Sequence, residues 1–201
     1  MLELKKIAIT GGVSSGKSSV CRLLAKHGVY VVDADKIVHD LLSSDSQIRE
    51  KVINLLGSSI LIDGQIDRKR VAEKVFSQSE TLKSLELILH PAVFHEMELQ
   101  YQKIKDNPKY TLFAAEIPLL YETENAKLFD SVVVVLADQE VCRKRFMENN
   151  KGSGQSFDQR MQRQMNPAQK AAKAHFMLIN DENIEDLEKQ VIQLLTKIRS
   201  N

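Results

Sequence analysis

Tryptophan is absent, cysteine occurs twice and aromatic residues make up only 5% of the 201 residues. Cys21 and Cys142 have neither metal-ligand nor redox spacing, and two thiols in a chain this long argue against a disulfide framework, so both read as buried or half-buried free thiols. An excess of charge of one sign is also missing. Lys and Arg total 28 against 27 Asp and Glu, a formal charge of +1, which removes any global electrostatic ground for a nucleic-acid partner. No apolar run reaches the length of a membrane span, and the start "MLELKKIAIT" lacks the basic, apolar and small-residue sections of a secretory leader. A cytoplasmic protein with no nucleic-acid and no membrane partner is expected. With 43% hydrophobic and 27% charged residues, the chain should fold as one compact unit elaborated by a small subdomain.

Short apolar runs predict strands at 6–10, 29–33, 110–115 and 131–137, with a weaker fifth at 176–179. Helical patterns separate most of them. Val20, Leu23 and Leu24 mark one helix face that stops at Gly28, and Ile184, Leu187, Val191, Leu194 and Ile198 describe a closing helix. Alternating helices and continuously apolar strands predict an α/β fold, a parallel five-stranded sheet with helices on both faces. Two segments interrupt the alternation. From about Ile37 to Lys105 the pattern is almost wholly helical, with Gly57 and "IDGQID" (Ile62–Asp67) as breaks. The segment Gln139–Lys173 holds eight basic residues (Arg143, Lys144, Arg145, Lys151, Arg160, Arg163, Lys170, Lys173) and three acidic ones, a local +5 that leaves −4 for the rest. With "GSG" (Gly152–Gly154) as a joint, it reads as a mobile cover that meets an anionic ligand.

The motif Gly11-x4-Gly16-Lys17-Ser18 satisfies the phosphate-loop pattern, with a predicted strand before it and a helix after it. In such a loop, backbone N–H groups and the helix N-terminus face phosphate oxygens, and the lysine reaches the outer phosphates. Ser18 would offer its hydroxyl to Mg2+. A nucleoside triphosphate is the expected ligand. The Asp-x-x-Gly and Asn-Lys-x-Asp motifs of a regulatory GTPase are absent.

A second stretch, "VVDADKIV" (Val31–Val38), ends a strand in two carboxylates at the edge of a parallel sheet where ligands bind. Asp33 or Asp35 could take the proton of an attacking hydroxyl while the other holds metal-bound water, and either could cap the following helix.

Together with Leu85-Glu86-Leu87-Ile88-Leu89-His90-Pro91, "IPLLYE" (Ile117–Glu122), and the run from Arg145 through "RMQRQM" (Arg160–Met165) and Lys170 to Asn180, these motifs resemble the dephospho-CoA kinase family over essentially the whole chain. The resemblance implies a P-loop NTPase fold of the nucleoside-monophosphate-kinase type, with a nucleotide-binding core (1–36, 107–138 and 174–201), a helical acceptor-binding insertion (37–106) and a lid (139–173). It implies ATP and Mg2+ as cofactors and transfer of the γ-phosphoryl group to the ribose 3′-hydroxyl of dephospho-CoA. On the donor side it implies Gly11, Gly12, Val13, Ser14, Ser15, Gly16, Lys17, Ser18, Ser19, Arg145, Arg160 and Asn180, the last near the adenine. On the acceptor side it implies Asp33 as base, with Asp35, His90 and Leu119. Lys17, Asp33 and Arg145 carry the catalytic roles and Ser18 the metal. A monomer is expected, with weak self-association left open.

Four positions depart from the family pattern. Ser14 stands where a glycine is usual, so a positive φ there would strain the loop. Ser19 replaces a threonine. Asn149 stands for a second lid arginine, with Lys144 or Lys151 placed to offset the lost charge, and His175 replaces an aspartate. Two other readings remain. One is another small-molecule kinase, shikimate- or nucleotide-kinase-like, against which "EIPLLYE" stands in place of a triple-glycine acceptor loop. The other is a non-catalytic ATP-binding regulator, against which intact Lys17, Ser18 and Asp33 argue.

Overall fold

A computed structural model describes residues 4–76, 78–149 and 153–200. In chain order its main elements are β1 (Lys6–Gly11), α1 (Lys17–Lys26), β2 (Val29–Asp33), α2 (Ala34–Ser44), α3 (Ser46–Leu56), β3 (Leu61–Ile62), β4 (Gln65–Ile66), α4 (Arg68–Phe76), α5 (Ser79–Ile104), β5 (Leu112–Glu116), β6 (Ser131–Leu136), α6 (Gln139–Glu148), α7 (Gly154–Gln162), α8 (Pro167–Lys173), β7 (Phe176–Ile179) and α9 (Ile184–Ser200). The chain divides into two compact units, Met1–Val32 with Lys105–Asn201, and Asp33–Ile104. Each has its own apolar cluster. Among the described residues no helix is long and apolar enough to cross a membrane.

The first unit is built on a parallel sheet in the order β2-β5-β1-β6-β7. Ile7, Ala8 and Ile9 of β1 are all fully buried, as a central strand covered on both faces requires. On one face Val20, Leu23 and Leu24 of α1 and Leu187, Val191, Leu194 and Ile198 of α9 pack against Ile7, Ile9, Val133 and Val135. Each such side chain contributes about 1.5–3 kcal/mol through removal from water. Ile184, expected on the α9 stripe, is exposed because it opens the helix ahead of the packed turns. The strand expected at 110–115 runs instead over Leu112–Glu116, so that its last residue is a carboxylate.

The second unit contains α2 to α5 around Leu42, Val52, Leu56, Ile60, Val71 and Leu85. It is not wholly helical. "IDGQID" forms an antiparallel hairpin pairing Leu61 with Ile66 and Ile62 with Gln65. Asp63 and Gly64 both take positive φ, +49° and +75°, the conformation of a two-residue turn that matches strand twist. Arg49 clamps the turn by donating to Gly64 O and Gln65 Oε1, each at 2.8 Å.

Candidate active site

The loop between β1 and α1 owes its path to two glycines. A Cβ at Gly11 would lie 2.3 Å from Val135 O, and one at Gly16 (φ +96°) would lie 1.9 Å from Asn180 Nδ2. Ser14 also takes a positive φ, +55°, so this serine holds a conformation that favours glycine. Its Oγ and that of Ser15 are buried and have no hydrogen-bond partner among the described residues. No side chain caps the N-terminus of α1 and no acid lies in its first turn, which leaves the positive end of the helix facing the loop.

Lys17, nearly buried, folds back over this loop, donating to Gly12 O at 2.8 Å and approaching Gly11 O at 3.4 Å. Ser18 donates to Glu116 Oε1 at 3.0 Å. Glu116 is 7% exposed and sits opposite Ile9 at the end of β5. Sequence reasoning missed it. The available signal was an acid directly after "LFAA", at the carboxyl edge from which the phosphate loop also springs. Among the described residues no three His, Cys, Asp or Glu side chains cluster as a metal cage. A Mg2+ ion shared with phosphates needs none, since it keeps several waters and takes one or two protein oxygens. The hydroxyl of Ser18 beside the buried Glu116 carboxylate fits that requirement.

Beside the loop lies a cleft of about 300 Å³, lined by Gly12, Val13, Ser15, Ala137, Cys142 and Pro167 among others. The Val13 side chain is buried against Cys142, Phe146 and Phe157, so only its backbone can serve a phosphate. Burial pushes the Cys142 thiol above its usual pKa, against a smaller opposing pull from Arg145 and Lys17. Asn180 braces the loop from below, donating Nδ2 to Ser15 O at 2.8 Å, while its own carbonyl accepts from Arg145 NH1 at 2.8 Å. Arg160 is exposed and stacks over the Phe146 ring at 5.4 Å. Ser19 accepts from Arg22 at 3.0 Å.

The remaining departures have local causes. Asn149 ends α6, its Nδ2 donating to Arg145 O at 2.7 Å. Lys144 faces Glu148 at 3.9 Å, and Lys151 and Gly152 lie outside the described residues. Ser153 and Gly154, read as part of a joint, instead start α7, with Ser153 as its N-cap. His175 Nδ1 accepts the Val132 N–H at 3.0 Å, a bond that an aspartate oxygen would also accept.

In the second unit, Asp33 caps α2 through Oδ1, which accepts from the N–H groups of Asp35 at 2.8 Å and Lys36 at 3.3 Å. Asp35 is exposed, and His90 is half-buried within the 26-residue α5, directly before Pro91. Leu119, back in the first unit, is half-buried in the turn after β5, where its carbonyl accepts from Thr123.

Comparison with known proteins gives the same family from three directions. The model of the dephospho-CoA kinase family matches residues 5–186. A dephospho-CoA kinase of Protochlamydia amoebophila is 46% identical over 200 residues, 99% of this chain and 98% of that protein. One from Chlamydia pneumoniae is 42% identical over 191 residues, 95% of each. The solved structure of a dephospho-CoA kinase from Campylobacter jejuni superposes with a TM-score of 0.70 at 27% identity, covering 96% of both chains. With a complete phosphate loop on the parallel sheet such a kinase requires, the chain belongs to the dephospho-CoA kinase family.

Proposed function

We propose that this protein transfers the γ-phosphoryl group of ATP to the ribose 3′-hydroxyl of dephospho-CoA, giving coenzyme A and ADP. The observation that carries the reading is the intact donor loop, with an uncapped helix N-terminus, Lys17 held over its carbonyls and Ser18 against buried Glu116, in a chain with full-length relatives in this family. Lys17 turns from Gly12 O to the outer phosphates. Ser18 and Glu116 are the residues that would hold Mg2+, which when bound neutralises charge on the last two phosphates. Asp33 Oδ2 takes the hydroxyl proton as the oxygen–phosphorus bond forms, Oδ1 being engaged by the α2 backbone. Asp35, His90 and Leu119 serve the acceptor. Arg145 and Arg160 supply positive charge to a transition state that needs positioning more than covalent help. The same reading includes a cytoplasmic monomer. Gln190 supports the monomer by occupying both backbone groups of Ile179 on the edge strand β7.

The test is to incubate the protein with Mg-ATP and, separately, dephospho-CoA, shikimate and nucleoside monophosphates, with products read by mass spectrometry. Phosphorylation of dephospho-CoA alone is expected, and its absence refutes the reading. Asp33→Asn tests the base. Asparagine caps a helix as well as aspartate does, so the thermal midpoint and ATP affinity should hold while turnover falls by about 10²-fold or more. Near-normal turnover would reduce Asp33 to a cap.

A further inference from the structure

One basic residue of the expected cover points into the protein. Lys170, on α8, is fully buried and donates to Glu122 Oε1 at 2.9 Å and Pro118 O at 2.7 Å. It therefore faces no ligand, contrary to its place in the basic run. Glu122 Oε1 also accepts the Met165 N–H at 2.7 Å, so one carboxylate holds both the turn entering α8 and the lysine in its middle. Pro118 O accepts a second bond, at 3.2 Å, from the hydroxyl of Thr10, the fully buried residue directly before Gly11. The N-terminal end of α8, directly after that turn, meets the phosphate loop. Asn166, Pro167 and Ala168 line the cleft beside Gly12 and Val13, and Pro167 Cγ lies 3.5 Å from where a Gly12 Cβ would be. Asn166 caps the helix and Pro167 fixes its first turn, so α8 is a short rigid piece.

We infer that Lys170 and Glu122 form a clasp that seats α8 as the fixed wall of the nucleotide cleft, and that both are positioning residues for ATP. Lys170 is fully buried and Glu122 half-buried, and the pair is neutral overall, so it acts through geometry and adds no net charge to the cleft. Removing the lysine leaves the half-buried carboxylate with the Met165 N–H but without its counter-charge, which costs stability. Replacing both with apolar groups of similar volume returns stability but not the bonds to Pro118 O and Met165 N. Those two effects can be separated.

The inference rests on the cleft being the ATP site, so its test has one arm with nucleotide and one without. Lys170→Met and the double variant Lys170→Met/Glu122→Leu are compared with the parent by thermal midpoint, ATP titration calorimetry and amide hydrogen exchange of the nucleotide-free protein. The single variant should lower the midpoint and the double should restore most of it. Both should bind ATP at least tenfold more weakly and exchange faster at residues 12–16 and 166–170, with α9 unchanged. A double variant that regains the midpoint together with parental ATP affinity and loop protection overturns the clasp, since the pair would then be structural only. A parent that binds no ATP overturns the kinase reading, and the exchange arm still decides the clasp.

Discussion

Replacing Ser14 by glycine should stabilise the ligand-free protein. Its φ of +55° costs an L-residue about 1–2 kcal/mol relative to glycine. Its buried Oγ, without a partner among the described residues, adds about 1–3 kcal/mol of desolvation that glycine would not incur. Against this, the extra freedom of glycine in the unfolded chain returns about 0.4–1 kcal/mol. The balance is about 1–4.6 kcal/mol in favour of Ser14→Gly. For a protein of this length each kcal/mol moves the midpoint by about 2–4 °C, so differential scanning calorimetry should find a rise of about 2–18 °C. Ser14→Ala separates the two contributions, because it removes the hydroxyl and keeps the strained Cβ, so it should recover only part of the gain. A midpoint for Ser14→Gly equal to or below the parent's would refute both the strain and the desolvation at this position.

Gly16→Ala should do the opposite at the other end of the loop. The new Cβ would collide with the Asn180 amide, and ATP binding measured by calorimetry should be lost or weakened at least tenfold with a lowered midpoint. His175→Ala should cost about 1–3 kcal/mol in urea unfolding by stranding the N–H of buried Val132, whereas His175→Asp should stay within about 0.5 kcal/mol of the parent, because the acceptor is kept. Equal losses in both variants would show that the imidazole packs and does not merely accept.

Much of the conformation of the phosphate loop was legible because its determinants are local. A glycine next to a lysine, an apolar strand before and an amphipathic helix after are readable within twenty residues, and the φ values at Gly16 and Ser14 follow from the same tight path. The five-stranded sheet followed from the continuity of its apolar runs. The hairpin at Asp63–Gly64 carried a local signal too, but a strong turn dipeptide between two-residue strands was read as a break in helices. Glu116 went unnamed and the inward direction of Lys170 unforeseen for a different reason. Glu116 matters because Ser18 faces it from another element, and Lys170 points inward because it meets Pro118, 52 residues away in sequence. Composition had counted that lysine as surface charge, and only a tertiary partner makes burial of an ammonium tolerable.

Lys17 has a contact of its own within the phosphate loop. With its ammonium 2.8 Å from Gly12 O, the lysine already has a partner within the protein, and under the proposed function an incoming phosphate takes it from a carbonyl that then needs another partner. Binding is therefore an exchange of contacts, and a measured affinity reports the difference between two occupied arrangements. The loss of affinity in Lys17→Ala will accordingly understate the lysine–phosphate attraction, because the same substitution also removes the competing contact that the bound state has to surrender.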